Sequence, residues 1–414
     1  MKSKNVLSAL LAAAVAFTGM APLTASAATA ASYSKAYVRA SEAKADDECW
    51  LDDVIASSGY DVDYTTRYAY KKLSSSEKQL YKLIVRAVRN LDPAIEIPDG
   101  LKEAQVFKVY NLVFHEEPQL FWMDDAYNPS TNLDYLLIRY KTTDYQEITE
   151  MQEKINKTAK SLLTKANKKK ATVNKIKVFY DYIVLHNKSV MTQDGFNSSI
   201  YNGLTGGESL RCSGYAKTMQ YLCDLAGIKC MVVPGENDKG ESHAWNKVYC
   251  GDGWYNLDPT WGDPIRSDLN STKNSTYIQY EYFLVPDSWI EKYTHFNTCV
   301  VKRKNGSKVK LFAPPACTKT KYNYFIYTGK NYTTLSKAKS EIRAQIKEAV
   351  KEKKTVVEIR VSTKSLFDKL TGATYGKSFE TYAKGLSSNV SKLTKYTKYQ
   401  KGVYVVHYDI VYKN

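Results

Sequence analysis

Three side chains in the middle of the sequence have the types and spacing that covalent acyl chemistry needs. Cys212 follows a glycine-containing loop through Gly203, Gly206 and Gly207. It opens a helical segment running to Ala226 and closed by Gly227, where a C-terminal cap is expected. At a helix start the unpaired backbone N–H groups and the helix dipole favour negative charge, and Arg211 adds a cation, so this thiol should ionise more readily than a free one. A cysteine standing alone in such a place more often packs than reacts, but Cys212 is followed by His243 and Asp258.

The segments His243–Cys250 and Trp254–Asp258 read as two strands with Gly251-Asp252 as the hairpin turn between them. Counting back through that turn sets Asp258 opposite Trp245, two residues from His243. His243 and Asp258 then share a face on a diagonal of roughly 7 to 8 Å, within reach of their side chains. In that register Asp258 accepts from one imidazole nitrogen and turns the other toward a thiol, which is the arrangement of orienter, base and nucleophile.

The residues around these three positions resemble a family. Leu210-Arg211-Cys212-Ser213-Gly214-Tyr215-Ala216, then Ser242-His243-Ala244-Trp245-Asn246, then Trp254-Tyr255-Asn256-Leu257-Asp258-Pro259-Thr260-Trp261 are similar to the three motifs of the transglutaminase-like superfamily, in its bacterial exported branch. The resemblance spans about Ile176 to Pro286, including Gly227-Ile228 and Tyr282-Phe283. Pro118-Gln119-Leu120-Phe121-Trp122 is similar to a run often found ahead of this domain. The likeness implies a papain-like fold with Cys212 as nucleophile, His243 as general base and acid, and Asp258 as orienter. It also implies an oxyanion met by the Cys212 backbone N–H and one further donor, for which Tyr201 and Asn202 are candidates. Trp245 and Trp261 flank the site in sequence, either as sheet packing or as walls of a substrate groove. There is no loop of alternating acids of the calcium-binding kind and no C-x-x-C pair, so neither a metal nor a cofactor is expected.

The elements around this core read as α+β. Leu80, Ile84, Val85 and Val88 repeat at helical spacing, as do Val106, Val109, Val113 and Phe114. A strand-like run lies near Leu136 to Tyr140, and a Lys-rich helix passes through Lys154, Lys160 and Lys165. Phe114-His115-Glu116-Glu117 ahead of Pro118 reads as a solvated helix end rather than an acid/base cluster. A helix carries Ile176, Phe179, Tyr180 and Ile183 on one face, and Ile228 to Val233 reads as a buried strand stopped by Pro234. Beyond Cys299 come a basic hairpin turned at Asn305-Gly306, a helix from Ser336 to Val350, a strand from Thr355 to Val361, one helix from Phe367 to Leu386 and a closing strand from Val403 to Tyr412. The expected organisation is a signal peptide over 1–27, a mainly helical accessory region over 28–170, a catalytic core over 171–298 and a basic α+β domain over 299–414.

The compartment is read from the N-terminus: Lys2 and Lys4, an apolar run from Val6 to Phe17, and Ala25-Ser26-Ala27 as the cleavage pattern. With no second apolar run of spanning length, the chain is expected to be secreted or cell-surface associated, without a transmembrane segment after cleavage. If Cys212 stays a thiolate, the other six of the seven cysteines form an even set, with Cys299 and Cys317 as one pair at the ends of the basic hairpin. The chain has 414 residues, 43% of them apolar, and a net charge of +16. Residues 301–414 hold 25 basic against 7 acidic side chains, with eleven tyrosines from Tyr322 to Tyr412. That favours an anionic cell-wall polymer as partner, and export argues against nucleic acid. The leading reading is an exported transglutaminase-like cysteine enzyme. It attacks amides of a protein or peptide bearing Gln and Lys, or of wall peptides, through a Cys212 thioester resolved by an amine or water. The alternatives are a cysteine peptidase or amidase acting on wall or surface peptides, or a surface-binding protein that works through its basic C-terminal region.

Overall fold

A computed structural model of the chain describes residues 49–206, 209–263, 277–396 and 402–413. The signal-peptide reading and Gly207 lie outside them. The fold is α+β. Its N-terminal part consists of a short helix α1 (Asp52–Ala56), then α2 (Ser75–Asn90), strand β1 (Ala94–Glu96), helix α3 (Glu103–Glu116), strands β2 (Asn128–Pro129) and β3 (Tyr135–Leu137), and the long α4 (Tyr145–Asn167). Ser74 and Glu77 cap α2 reciprocally, and its apolar stripe, Leu80, Ile84, Val85 and Val88, is buried as the spacing predicts. Helix α5 (Thr172–His186) buries Ile176, Phe179, Tyr180 and Ile183. A short α6 (Ile200–Thr205) then leads to α7 (Cys212–Leu225).

Helix α7 packs on a four-stranded antiparallel sheet ordered β4 (Cys230–Glu236), β5 (Ser242–Tyr249), β6 (Trp254–Leu257), β7 (Phe283–Val285). Small side chains allow the close approach: Ala216 of α7, Val232 of β4 and Ala244 of β5 form one buried cluster against which Cys212 packs. Gly214 is required where α7 meets the loop ahead of it, because a Cβ would lie 2.5 Å from Leu210 Cδ1 and 2.6 Å from the Asn197 carbonyl oxygen. Gly227, at φ +68°, closes the helix as its position predicts. Pro234 does not stop β4, which runs on to Glu236. The strand is at the sheet edge, where Val232 and Glu236 send their N–H groups outward to Glu116 and Phe296. Pro234 falls in the same outward phase and leaves no partner on β5 unsatisfied.

After α8 (Asp287–Ile290), the hairpin β8 (Val300–Lys302) and β9 (Lys308–Lys310) turns through Gly306 at φ +84°. The C-terminal part follows a short α9 (Tyr324–Tyr327). It has strand β10 (Asn331–Tyr332), helix α10 (Leu335–Glu352), β11 (Val356–Val361), helices α11 (Lys364–Thr371) and α12 (Ala373–Leu386), β12 (Val390–Tyr396) and β13 (Val405–Tyr412). Its sheet is ordered β10-β11-β13-β12. The single helix expected from Phe367 to Leu386 is two, parted at Gly372, whose extended backbone (ψ 161°) ends the first and starts the second. Strand β12 was not expected at all. It is a sheet edge and carries Lys392 and Lys395, a pattern that keeps edges from pairing with other chains and hides them from a search for apolar alternation.

The expected Cys299–Cys317 bridge is not made: both thiols are free and buried. The Cys299 carbonyl accepts from Leu311 N–H and its own N–H goes to Pro234, whereas Cys317 N–H is bonded to Asp287 Oδ2 at 2.8 Å, so the two backbones are anchored to different neighbours.

His115, Glu116 and Glu117 are also not a solvated helix end, being 9%, 1% and 2% exposed. Glu117 Oε1 accepts from Arg67 Nε at 3.0 Å and from Tyr81 at 2.6 Å, and Arg67 Nη2 also reaches Asp224 of α7 at 3.0 Å. Glu116 Oε1 accepts from Val232 N–H at 3.1 Å, and burial pushes its carboxyl up to about 8. These groups tie the N-terminal helices to both α7 and β4. Removing Arg67 leaves two buried carboxylates without their cation, so Arg67→Ala should lose about 3–5 kcal/mol of stability in urea unfolding. A loss below about 1 kcal/mol would show that the network does not hold these parts together.

Candidate active site

Cys212 is the first residue of α7, after Arg211 in extended conformation, and its N–H is among those with no acceptor inside the helix. His243 stands near the start of β5, and Asp258 directly follows β6. The β5–β6 register pairs Asn246 with Leu257, which places Asp258 opposite Trp245, as counted from the turn. The imidazole Nε2 of His243 donates to Asp258 Oδ2 at 2.7 Å. This leaves Nδ1 for the Cys212 thiol, with which His243 is hydrogen-bonded.

The electrostatics follow from burial and these partners. Burial alone would raise the Cys212 thiol, but the hydrogen bond and charge of His243, then Arg211, bring it below the ordinary thiol range. Burial opposes a charged His243, yet Asp258 and Cys212 raise it to about 10. Burial also opposes a charged Asp258, and His243 and His295 together hold that carboxyl well below the usual range. The arrangement favours a thiolate beside an imidazolium, oriented by a buried carboxylate.

His295 was not singled out from the sequence. It is fully buried, its Nε2 donates to the same Asp258 Oδ2 at 3.0 Å, and its Nδ1 lies 2.8 Å from Thr294 Oγ1. Burial pushes its own pKa down, so it acts as a neutral donor. The remaining oxygen, Asp258 Oδ1, accepts from Trp261 N–H at 3.1 Å. His295 lies 37 residues beyond Asp258 and outside the three motifs, and the one available signal was that it is among just five histidines in the chain.

The flanking tryptophans enclose these groups. The Trp245 ring is 1% exposed, donates from Nε1 to Asn256 Oδ1 at 3.2 Å, and lies 4.8 Å from the His295 ring and 6.0 Å from that of His243. It is sheet packing. Trp261 is half-buried, 5.4 Å from the His243 ring and 4.9 Å from that of His295, so it covers the imidazoles and keeps one side toward solvent. Asn202 Nδ2 donates to the Ser209 carbonyl at 3.2 Å, and the Tyr201 ring lies 5.7 Å from Phe196 and 6.4 Å from Phe121. They hold the loop ahead of Cys212. A cleft of about 570 Å³ borders His295, with Glu236, Asp238 and Glu291 against Lys310 on its walls.

The family model of the transglutaminase-like superfamily matches residues 156–259. Human kyphoscoliosis peptidase is 33% identical over a stretch covering 20% of this chain and 14% of that protein. The mouse protein of the same name is 30% identical over the same shares. The chain thus spans 14% of the length of these curated relatives. A solved structure described as a TGase is similar at 20% identity and a TM-score of 0.26, covering 32% of this chain and 38% of that one. The matched segment holds the cysteine, the histidine and the aspartate just described. Residues 156–259 are therefore a domain of the transglutaminase-like superfamily.

Proposed function

We propose that the protein is an exported cysteine enzyme that attacks amides of proteins or peptides at the cell surface through a thioester on Cys212. The observation that carries this reading is the hydrogen-bonded series Cys212, His243, Asp258, with the thiol lowered and the imidazole raised. The Cys212 thiolate adds to the amide carbon. His243 gives its proton to the departing ammonia or amine, and the acyl group remains as a thioester. His243 then takes a proton from the second nucleophile, an amine or water, which releases Cys212. Asp258 keeps one tautomer and one ring orientation through both halves. The oxyanion falls to the Cys212 backbone N–H, free at the helix start, together with one further donor.

Which nucleophile ends the cycle decides between crosslinking, deamidation and peptide cleavage. The cleft with Glu236, Asp238 and Glu291 on its walls also carries Lys310, Glu236 is paired with Lys308, and Cys212 and His243 do not line it, so it selects neither an amine nor water. The word peptidase in the names of the human and mouse relatives favours water. Export rests on the N-terminal sequence, and among the described residues no helix is long and apolar enough to cross a membrane. The excess of basic side chains over residues 301–414 suits contact with an anionic wall polymer.

Mass spectrometry of a Gln-containing peptide incubated with the protein, with and without an added amine, should show amine incorporation, conversion to the acid, or backbone cleavage. Cys212→Ala should remove any of these by at least about 10⁴-fold. His243→Ala should come close to that and Asp258→Asn should cost less, since an orienter does not touch the acyl carbon. Full turnover by Cys212→Ala would end the assignment.

The thiol itself gives a second expectation. The thiolate exists above the thiol's pKa, so alkylation of native Cys212 should set in at a pH below the roughly 8.5 of a free cysteine. In His243→Ala the burial remains without its compensation, so the onset should move above the free-cysteine value. An onset unchanged by that substitution would mean that His243 does not govern the thiol.

A further inference from the structure

We infer that Glu281, Glu358 and His407 form a site for a divalent transition-metal ion, zinc or manganese, where the C-terminal sheet meets the segment leading into β7. The three come from distant parts of the chain. Glu281 lies just ahead of β7, Glu358 is on β11, and His407 is paired with Glu358 across the ladder to β13. One ligand atom from each lies within 4.8 Å of the others. No local motif joins them, so their spacing carries no sign of a metal.

Glu281 carries the argument. It is 1% exposed, and beyond its own backbone N–H and the Glu358 carboxyl, with which it can only share a proton, its carboxyl oxygens meet no donor. No Lys or Arg stands within ion-pair distance of it among the described residues. The positive charge facing it is the His407 ring, which Glu358 and Asp409 share, so two buried carboxyls meet one imidazole, and a metal ion would let both of them ionise.

The imidazole is also set as a ligand. His407 Nε2 is 3.1 Å from Asp409 Oδ1, two residues along the same strand, and Nδ1 faces the cluster 3.6 Å from Glu358 Oε1. A carboxylate that takes the far N–H of a histidine orients the ring and raises the basicity of its near nitrogen, here the one facing Glu358 and Tyr277, from which a metal ion would displace a proton. Tyr277 closes the set, with its hydroxyl 2.9 Å from Glu358 Oε1 and 3.2 Å from His407 Nδ1. One imidazole with two carboxylates suits zinc or manganese, whereas an all-oxygen set would suit calcium or magnesium.

Carboxylate and imidazole ligands bind a metal ion in their deprotonated forms, so its affinity must rise with pH. The ion would fasten the C-terminal sheet to the residue before Tyr282, whose ring lies 4.9 Å from Trp261 and 5.3 Å from His295. The tether and the wall of the active site are then neighbours in the chain.

The test uses the full chain, stripped with a chelator and titrated with zinc or manganese, with bound metal counted by elemental analysis and melting followed by circular dichroism. The expected result is one equivalent per chain, a melting temperature raised by the metal, and tighter binding at pH 8 than at pH 6. Glu281→Gln, close to isosteric, should bind at least about tenfold more weakly while keeping the wild-type spectrum, as should Asp409→Asn. His407→Gln provides a second variant, judged only if its spectrum is native. The inference is overturned if the wild-type chain takes up neither metal, or if uptake is the same in Glu281→Gln. Glu281 is then a neutral acid sharing its proton with Glu358.

Discussion

The carboxylate of Asp258 is the interaction on which the rest of the site depends. It is 1% exposed and carries a charge that burial alone would forbid, and it keeps that charge because every direction around it is filled by a donor. Two imidazoles share Oδ2, and the Trp261 N–H takes Oδ1. Its backbone is fixed as well, with its N–H bonded to Tyr282 at 3.1 Å and its carbonyl accepting from Tyr180 at 3.3 Å. A carboxylate held this way can hold His243 in turn, and His243 can hold a thiolate. The two histidines are not equivalent in this. His243 reaches the thiol and is raised, whereas His295 is lowered by burial and serves Asp258 as a neutral donor.

The fold delivers these groups by keeping the interface between α7 and its sheet thin. Ala216, Val232 and Ala244 are small, and Asn246 reaches across to the Ala216 carbonyl at 2.9 Å. The N-terminal helices then clamp α7 from behind through Arg67, Glu117 and Asp224, and Glu116 satisfies the outward N–H of Val232 on the edge strand. The N-terminal part thus bears on the chemistry only through where it holds the helix that presents Cys212.

What the sequence disclosed was what is local. Cys212 at a helix start, Gly227 as a cap, and the two-residue turn that sets the β5–β6 register were readable because each depends on a few adjacent residues. That register alone placed Asp258 within reach of His243. What escaped was what distant segments bring. His295 arrives from beyond the last motif, Glu116 and Glu117 look like a charged helix end until Arg67 and β4 cover them, and β12 has a lysine-bearing edge pattern in place of an apolar one. Asn202 and Tyr201 are close in sequence to the nucleophile, and the hydrogen bond of one and the ring contacts of the other support the loop ahead of it.

The measurement closest to the central claim is the titration of the His243 ring followed by NMR in the intact protein with its histidines isotopically labelled. With Asp258 charged on one side and the Cys212 thiolate on the other, His243 should remain protonated through neutral pH and lose its proton only near pH 10. A ring that titrates near the ordinary value of about 6.5 would contradict the account, because Asp258 would then not be holding an imidazolium beside the thiol.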